Sequence, residues 1–171
     1  MKMKQFKTLL FAVALFFGAT SMMNAQSKVA HINTQELIAS MPEMKAAESQ
    51  LQKLQKTYEG DLQTMATELQ NKMKQYQAEA ATKTDVENEK RAKEVQGMRD
   101  NILKYEQNAQ QEMGKKQENL IKPIMEKARQ AIQKVARAKG FQYVIDATAG
   151  SGLILADGPD LLADVKKELG I

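Results

Sequence analysis

The stretch LQKLQKTYEGDLQTMATELQNKMKQY, Leu51–Tyr76, decides the fold. Its apolar residues are Leu51, Leu54, Tyr58, Leu62, Met65, Leu69, Met73 and Tyr76, so the spacing alternates between three and four with no strand-like alternation. That is helical periodicity. Leu51, Leu62 and Met73 recur every eleven residues, a period that predicts a nearly straight or slightly right-handed supercoil. Between them stand mostly Gln, Lys, Glu, Thr, Asn and Ala, so the helix can bury one narrow stripe and must leave the rest in water.

Working outward, Thr84 and Glu87 form a capping box that starts a fresh helix just after Thr82 and Lys83. A return arm follows, with Val95, Met98, Ile102, Tyr105, Ala109, Met113 and Leu120 again three to four apart, or multiples of that. Folding about 82–83 places residue i beside residue 165 − i. Pro123 predicts an interruption and kink in this return helix. Ile124, Ala128, Ile132 and Val135 then resume an amphipathic pattern that stops at Gly140, a helix C-cap.

The flanks read differently. Lys28–Ile32 is a short strand, and Asn33 with Glu36 forms a capping box for a short helical turn ahead of Pro42. Phe141–Ile145 is a second strand, and the cluster at 148–152 is a turn. Leu153–Ala156 reads as a third strand, and Asp160–Leu169 as a closing helix. The globular parts, 26–44 and 122–171, hold 69 residues. A lone core of that size contributes only about 3–5 kcal/mol, and three short strands leave exposed edges. The chain therefore calls for oligomerisation, with strands from several copies completing one sheet or barrel. Val29, Ile32, Phe141, Val144, Ile145, Leu153 and Leu155 are the candidate oligomerisation residues.

The N-terminus is an expected secretory signal: Lys2, Lys4 and Lys7, an apolar run Leu9–Phe17, and small or polar residues to a cleavage near Ala25. The run is too short for a membrane span, and with no cysteine in the chain a lipid anchor is not expected. Residues 26–171 carry 22 basic against 21 acidic side chains, which disfavours a nucleic-acid binder. Stability without cysteine must come from packing or association, since no disulfide can form.

No residue pattern carries enzyme chemistry. His31, the only histidine, lacks an acid or base partner nearby in sequence. Gly150-Ser-Gly152 precedes a strand and no helix, so it reads as a turn and not as a phosphate cradle. Asp157, Asp160 and Asp164 lack calcium-loop spacing, and Asp160 serves better as a helix cap. Lys90, Arg91 and Lys93 alternate with Glu87, Glu89 and Glu94, the pattern of a solvated helix face. No cofactor or metal is implied. The candidate client-contact residues are Met44, Tyr58, Met65, Met73, Tyr76, Met98, Tyr105 and Met113, since thioethers and tyrosines make weak, adaptable contacts.

The order of these parts, with Val29-Ala-His-Ile-Asn33, Tyr143-Val-Ile-Asp-Ala147 and Asp160-Leu-Leu-Ala-Asp-Val165 as its sharpest pieces, resembles the Skp/OmpH family of periplasmic chaperones. The resemblance covers nearly all of 26–171. It implies an α+β fold: a small β-barrel or sheet body completed by trimerisation, with a long antiparallel α-helical hairpin arm per subunit, jellyfish-like. The expected division is signal 1–25, body 26–43 with 123–171, and arm 44–122. The implied function is an ATP-independent holdase that binds unfolded outer-membrane β-barrel proteins in a cavity between the arms of a homotrimer, without stable membrane insertion. The alternative is a coiled-coil spacer or scaffold of the cell envelope. Family members can carry strongly basic arms and a lipopolysaccharide-binding cluster, whereas Lys45–Lys122 holds 14 basic and 13 acidic residues here. That site is therefore not carried over.

Overall fold

The computed structural model describes residues 28–171, and the expected signal lies outside the described residues. In chain order the elements are β1 (Val29–Ile32), α1 (Thr34–Ser40), α2 (Pro42–Glu79), a 3-10 turn (Ala80–Thr82), α3 (Asp85–Ala138), β2 (Tyr143–Asp146) and α4 (Leu162–Leu169). Both capping boxes form: Asn33 Oδ1 accepts from the Glu36 N–H at 2.9 Å, and Thr84 Oγ1 from the Glu87 N–H at 3.3 Å. Pro42 stands in the first turn of α2, where its missing N–H costs nothing, and Met41 before it is extended.

With 38 residues, α2 spans about 57 Å. It packs antiparallel on α3, and the cross-arm pairs Asp61–Tyr105, Lys72–Glu94 and Glu79–Arg91 sum to 166, 166 and 170, close to the expected 165. The seam stays thin, since Leu51, Leu54, Leu62, Leu69 and Ile102 are only half-buried and Ala109 is the one buried residue of the mid-arm.

α3 corrects the expectation at Pro123. The helix runs unbroken through it for 54 residues. Proline removes one helical hydrogen bond there, but Ile124, Ala128, Ala131, Val135 and Ala136 just beyond it are buried against the body and keep the following turns helical. Gly140 ends the helix at φ +73°, with Phe141 N–H donating to Ala136 O at 2.9 Å, the Schellman closure.

The core lies where the two chain ends meet the base of the hairpin. Ala30 and Ile32 of β1, Leu37 of α1, Met41, Ala47, the small-residue face of α3, Leu161 and Val165 form one cluster. β1 and β2 pair in parallel, Val29 opposite Tyr143 through Ile32 opposite Asp146. On its other side β1 meets 159–161, where His31 N–H donates to Pro159 O at 2.9 Å and Leu161 N–H to His31 O at 3.0 Å. β1 is thus central, and β2 is hydrogen bonded along one edge only.

The third strand is a second correction. Leu153–Ala156 forms no ladder among the described residues, although the preceding turn forms, with Gly150 and Gly152 both at positive φ. A strand needs a partner for its backbone groups, and neither β1 nor β2 pairs with this segment. The closing helix also starts later than Asp160, which caps it instead: its Oδ1 accepts from the Leu162 N–H at 2.9 Å.

Candidate functional site

The arms present a half-buried stripe. Tyr58, Met65, Tyr76, Met98, Tyr105 and Met113 all lie on the seam, each partly covered by the facing helix. Tyr58 and Tyr105 stack edge to face with centroids 6.0 Å apart. The Tyr105 hydroxyl donates to Asp61 at 2.5 Å, and that bond pushes its ionisation up to about 12. Met73 sits at the margin of the seam at 40% exposure, its sulfur accepting an N–H of Arg99 on the facing helix at 3.6 Å. Met44 packs on the body core, so it is not part of the free arm surface.

Near the tip the seam turns polar. Tyr76 O–H donates to Glu94 at 2.6 Å, Lys72 pairs with Glu94 at 2.9 Å, and Arg91 pairs with Glu79 at 2.7 Å. The Arg91 guanidinium lies 4.6 Å from the centre of the Tyr76 ring, a cation–π contact. Hydrogen bonds from Tyr76 and Lys72 lower the Glu94 carboxyl below the usual range, and those from Gln75 and Arg91 do the same to Glu79. Lys93 pairs with Glu89 at 2.7 Å. Of the basic group at 90–93, Arg91 and Lys93 are thus paired with carboxylates within the arm. Val86 and Leu103 are further exposed apolar residues, at 78% and 58%. Neither falls on the periodic stripe, which is why the spacing did not single them out.

The body is uncovered on one side. Residues of β1 and β2 alternate, so Ala30, Ile32 and Val144 face the core while Val29, Tyr143 and Ile145 face out at 41%, 61% and 44% exposure. Ile32, at 1% exposure, lies in the core of its own chain, and the partly buried Phe141 and Val144 pack against that core. Leu155 is 71% exposed and Ile154 fully so, while Leu153 is half-buried. A groove of about 1010 Å³ opens beside the arm base, lined by Ile38, Pro123, Met125, Ala128, Ile132 and the end of β2 at Asp146. Sequence reading missed Met125 and Ile38. Ile121, Met125, Ala128 and Ile132, spaced four, three and four apart, formed a second stripe on α3 that could have been read.

The polar groups of the body tie elements together. Burial opposes ionisation of Asp146, yet hydrogen bonds from the Thr148 and Thr34 hydroxyls, both 2.7 Å, and from their backbone N–H groups outweigh it and hold the carboxyl at about 2. Asp164 pairs with Lys139 at 2.5 Å, and Lys134 with Glu168 at 2.5 Å. Lys127 meets Glu43 across the arm base. Of the five basic residues between Pro123 and Gly140, Lys127, Arg129, Lys134 and Lys139 are thus paired with acidic neighbours, Arg129 with Glu126. No described helix is long and apolar enough to cross a membrane.

A long helical hairpin raised on a small mixed α/β body, with apolar surface uncovered on both, defines a class of interaction protein. Residues 28–169 match the family model described as outer membrane protein (OmpH-like), and the chain belongs to that family. Among its relatives is the chaperone protein Skp of Photorhabdus luminescens, 30% identical over 159 residues, which are 93% of this chain and 94% of that one. The chaperone protein Skp of Pectobacterium atrosepticum is 27% identical over 157 residues, covering 92% and 94%. The fold is shared with a crystal structure of an OmpH-like protein from Caulobacter crescentus, at a TM-score of 0.75 and 19% identity, covering 86% of this chain and 87% of that one.

Proposed function

We propose that the protein is an ATP-independent holdase of the periplasm that keeps unfolded outer-membrane β-barrel proteins from aggregating. In this reading the chain is exported with cleavage near Ala25, assembles as a homotrimer through the body (26–43 with 123–171), and encloses clients between the arms (44–122). The observation that carries it is the half-buried stripe of the arm: Tyr58, Met65, Met98, Tyr105 and Met113 are partly covered by the hairpin and partly open to a client. Thioether and aromatic side chains adapt to varied apolar partners, and several arms acting together give avidity without one tight site. The uncovered outer face of the sheet supports assembly, because Val29, Tyr143 and Ile145 stand in water in the single chain. The relatives named as chaperones support the same reading. The polar tip, with its ion pairs closed within the hairpin, gives little support to a spacer that must grip a fixed partner there.

The test dilutes a denatured outer-membrane β-barrel protein into buffer with and without the purified mature chain, lacking nucleotide. Light scattering should rise more slowly with the protein present, and native mass should read three chains. Scattering that rises equally fast in both arms rejects the holdase reading.

A further inference from the structure

His31 is the only histidine of the chain, and its backbone fixes where its side chain goes. β1 is bonded on both sides at this residue. His31 stands opposite Ile145 of β2, its N–H donates to Pro159 O at 2.9 Å, and its carbonyl accepts from the Leu161 N–H at 3.0 Å. Ala30 and Ile32 on either side point into the core. Alternation therefore sends the imidazole to the opposite, uncovered face with Val29, Tyr143 and Ile145. It lines a cleft of about 230 Å³ there with Val29, Ile145, Leu153 and Leu155. A one-residue slip that turned it away would carry Ala30 and Ile32 out of the core, so the position is locked. The charged groups around it come from three sides. Lys28 precedes β1, and Asp146 ends β2 with its carboxylate held by Thr34 and Thr148. Asp157 lines the same cleft, and Asp160 caps α4 through the Leu162 N–H. Tyr143 adds a neutral phenol to the face. The imidazole makes no ion pair with any of these groups among the described residues.

We infer that His31 makes assembly of the body pH-dependent: copies associate with the imidazole neutral and separate when it takes up a proton. The inference rests on the assembly reading above and adds its regulation. The occupant of the face is a second copy, because a body of 69 residues without a disulfide needs association. Covering the face takes His31 out of water together with Val29, Tyr143 and Ile145. A neutral imidazole loses little there, whereas an imidazolium with no bonded partner is disfavoured by desolvation. Each copy brings one such group to the shared assembly, so the charges also repel one another and the effect multiplies with the number of copies. Assembly thus excludes a proton. It is complete where the free imidazole is neutral and weakens as pH falls through the histidine range. No other side-chain type here ordinarily changes charge between about pH 5 and 8. Glu43, Glu79, Glu94, Glu126 and Asp146 are all lowered from the usual carboxyl range by their hydrogen bonds, away from this window. Acid then disperses the shared cavity and its avidity with it.

Sedimentation of the mature chain over a concentration series, at fixed ionic strength, reads the association midpoint from about pH 8 to about pH 5. The midpoint concentration should rise about tenfold or more toward the acid end, since one unit of displaced proton affinity is already tenfold. His31→Ile should hold its alkaline midpoint across the whole range. His31→Gln, neutral throughout, replaces it if the isoleucine variant fails to fold. His31→Lys carries the charge permanently and should stay dispersed even at the alkaline end. Far-UV circular dichroism on the same samples should keep the helix signal of the arm throughout. Loss of that signal together with assembly would mean acid unfolding and overturn the inference. A wild-type midpoint that does not move overturns it and leaves assembly standing, as does an acid loss shared equally by the neutral variants. A lysine variant that assembles as tightly as the wild type also overturns it. So does tighter assembly in acid, which would mean that Asp157 captures the imidazolium. Single chains at every concentration at the alkaline end reject the assembly reading and this inference with it.

Discussion

The arm and the body of this chain are held together by different physics. In the body, Leu37, Ile32, Met41, Leu161 and Val165 are all within 1% of full burial, and small residues let α3 approach closely. In the arm no large side chain reaches that state, and the hairpin is fastened by partly exposed polar contacts: Asp61–Tyr105 in the middle, Glu79–Arg91 and Glu94 with Lys72 and Tyr76 near the tip. A dry core specifies one packing and resists change. Wet side-chain contacts are individually weak, so the arm keeps its register while its surface stays able to accommodate. The body is built to stay the same and the arm to adapt.

The largest effect that would break this contrast is in the core. Leu37→Ala should cost about 2–5 kcal/mol in denaturant unfolding, whereas Leu62→Ala on the half-buried seam should cost well under that. Equal losses would mean that the arm has a core of its own. Next in size are the arm glycines. A Cβ on Gly60, Gly97 or Gly114 meets nothing within 4 Å, so no close approach requires them, and each Ala should add about 1 kcal/mol of helix stability. The triple variant should slow amide exchange along 50–120 and narrow the range of client sizes held. Faster exchange would show that the glycines have a packing role.

Smaller still is the tip. Tyr76→Phe keeps the ring beneath Arg91 but removes the hydroxyl from Glu94. Amide exchange around 72–94 should quicken by less than about tenfold, corresponding to under about 1.4 kcal/mol, with no change at Ala131 or Val165. The last effect is confined to acid. The Asp146 carboxyl is held at about 2, below the ordinary value near 4. Its contribution is therefore present above the ordinary value and lost as pH falls through about 2. Asp146→Asn should flatten that part of the acid-unfolding curve, and an unchanged curve would remove the carboxylate from the account.

Much of the arm was legible because its determinants are local. Periodicity, two capping boxes and a glycine stop depend on residues three to four apart, and they located the hairpin, its reversal and its register to within a few residues. The body was legible in kind but not in detail. Whether Leu153–Ala156 is a strand depends on a partner elsewhere, and nothing in its own residues supplies one. Ile32 and Val144 could be placed on a strand from their own residues, but only the pairing of β1 with β2 shows that both face the core of their own chain. At Pro123 the expected interruption does not occur, since the burial of Ile124, Ala128 and Ala131 just past it offsets the proline and the helix continues. Met73 and Met44 lay on the right spacing, and only packing showed that one sits at the exposed margin of the seam and the other packs against the body core.

The central claim is that arms hold clients while the body holds copies. Amide hydrogen exchange on the assembled protein, with and without a denatured outer-membrane β-barrel, tests it most directly. Exchange should slow along the arm stripe around Tyr58, Met65, Met98 and Tyr105, and stay unchanged from Lys139 to Leu169. Protection confined to the body, with the arm stripe unaffected, would contradict the account.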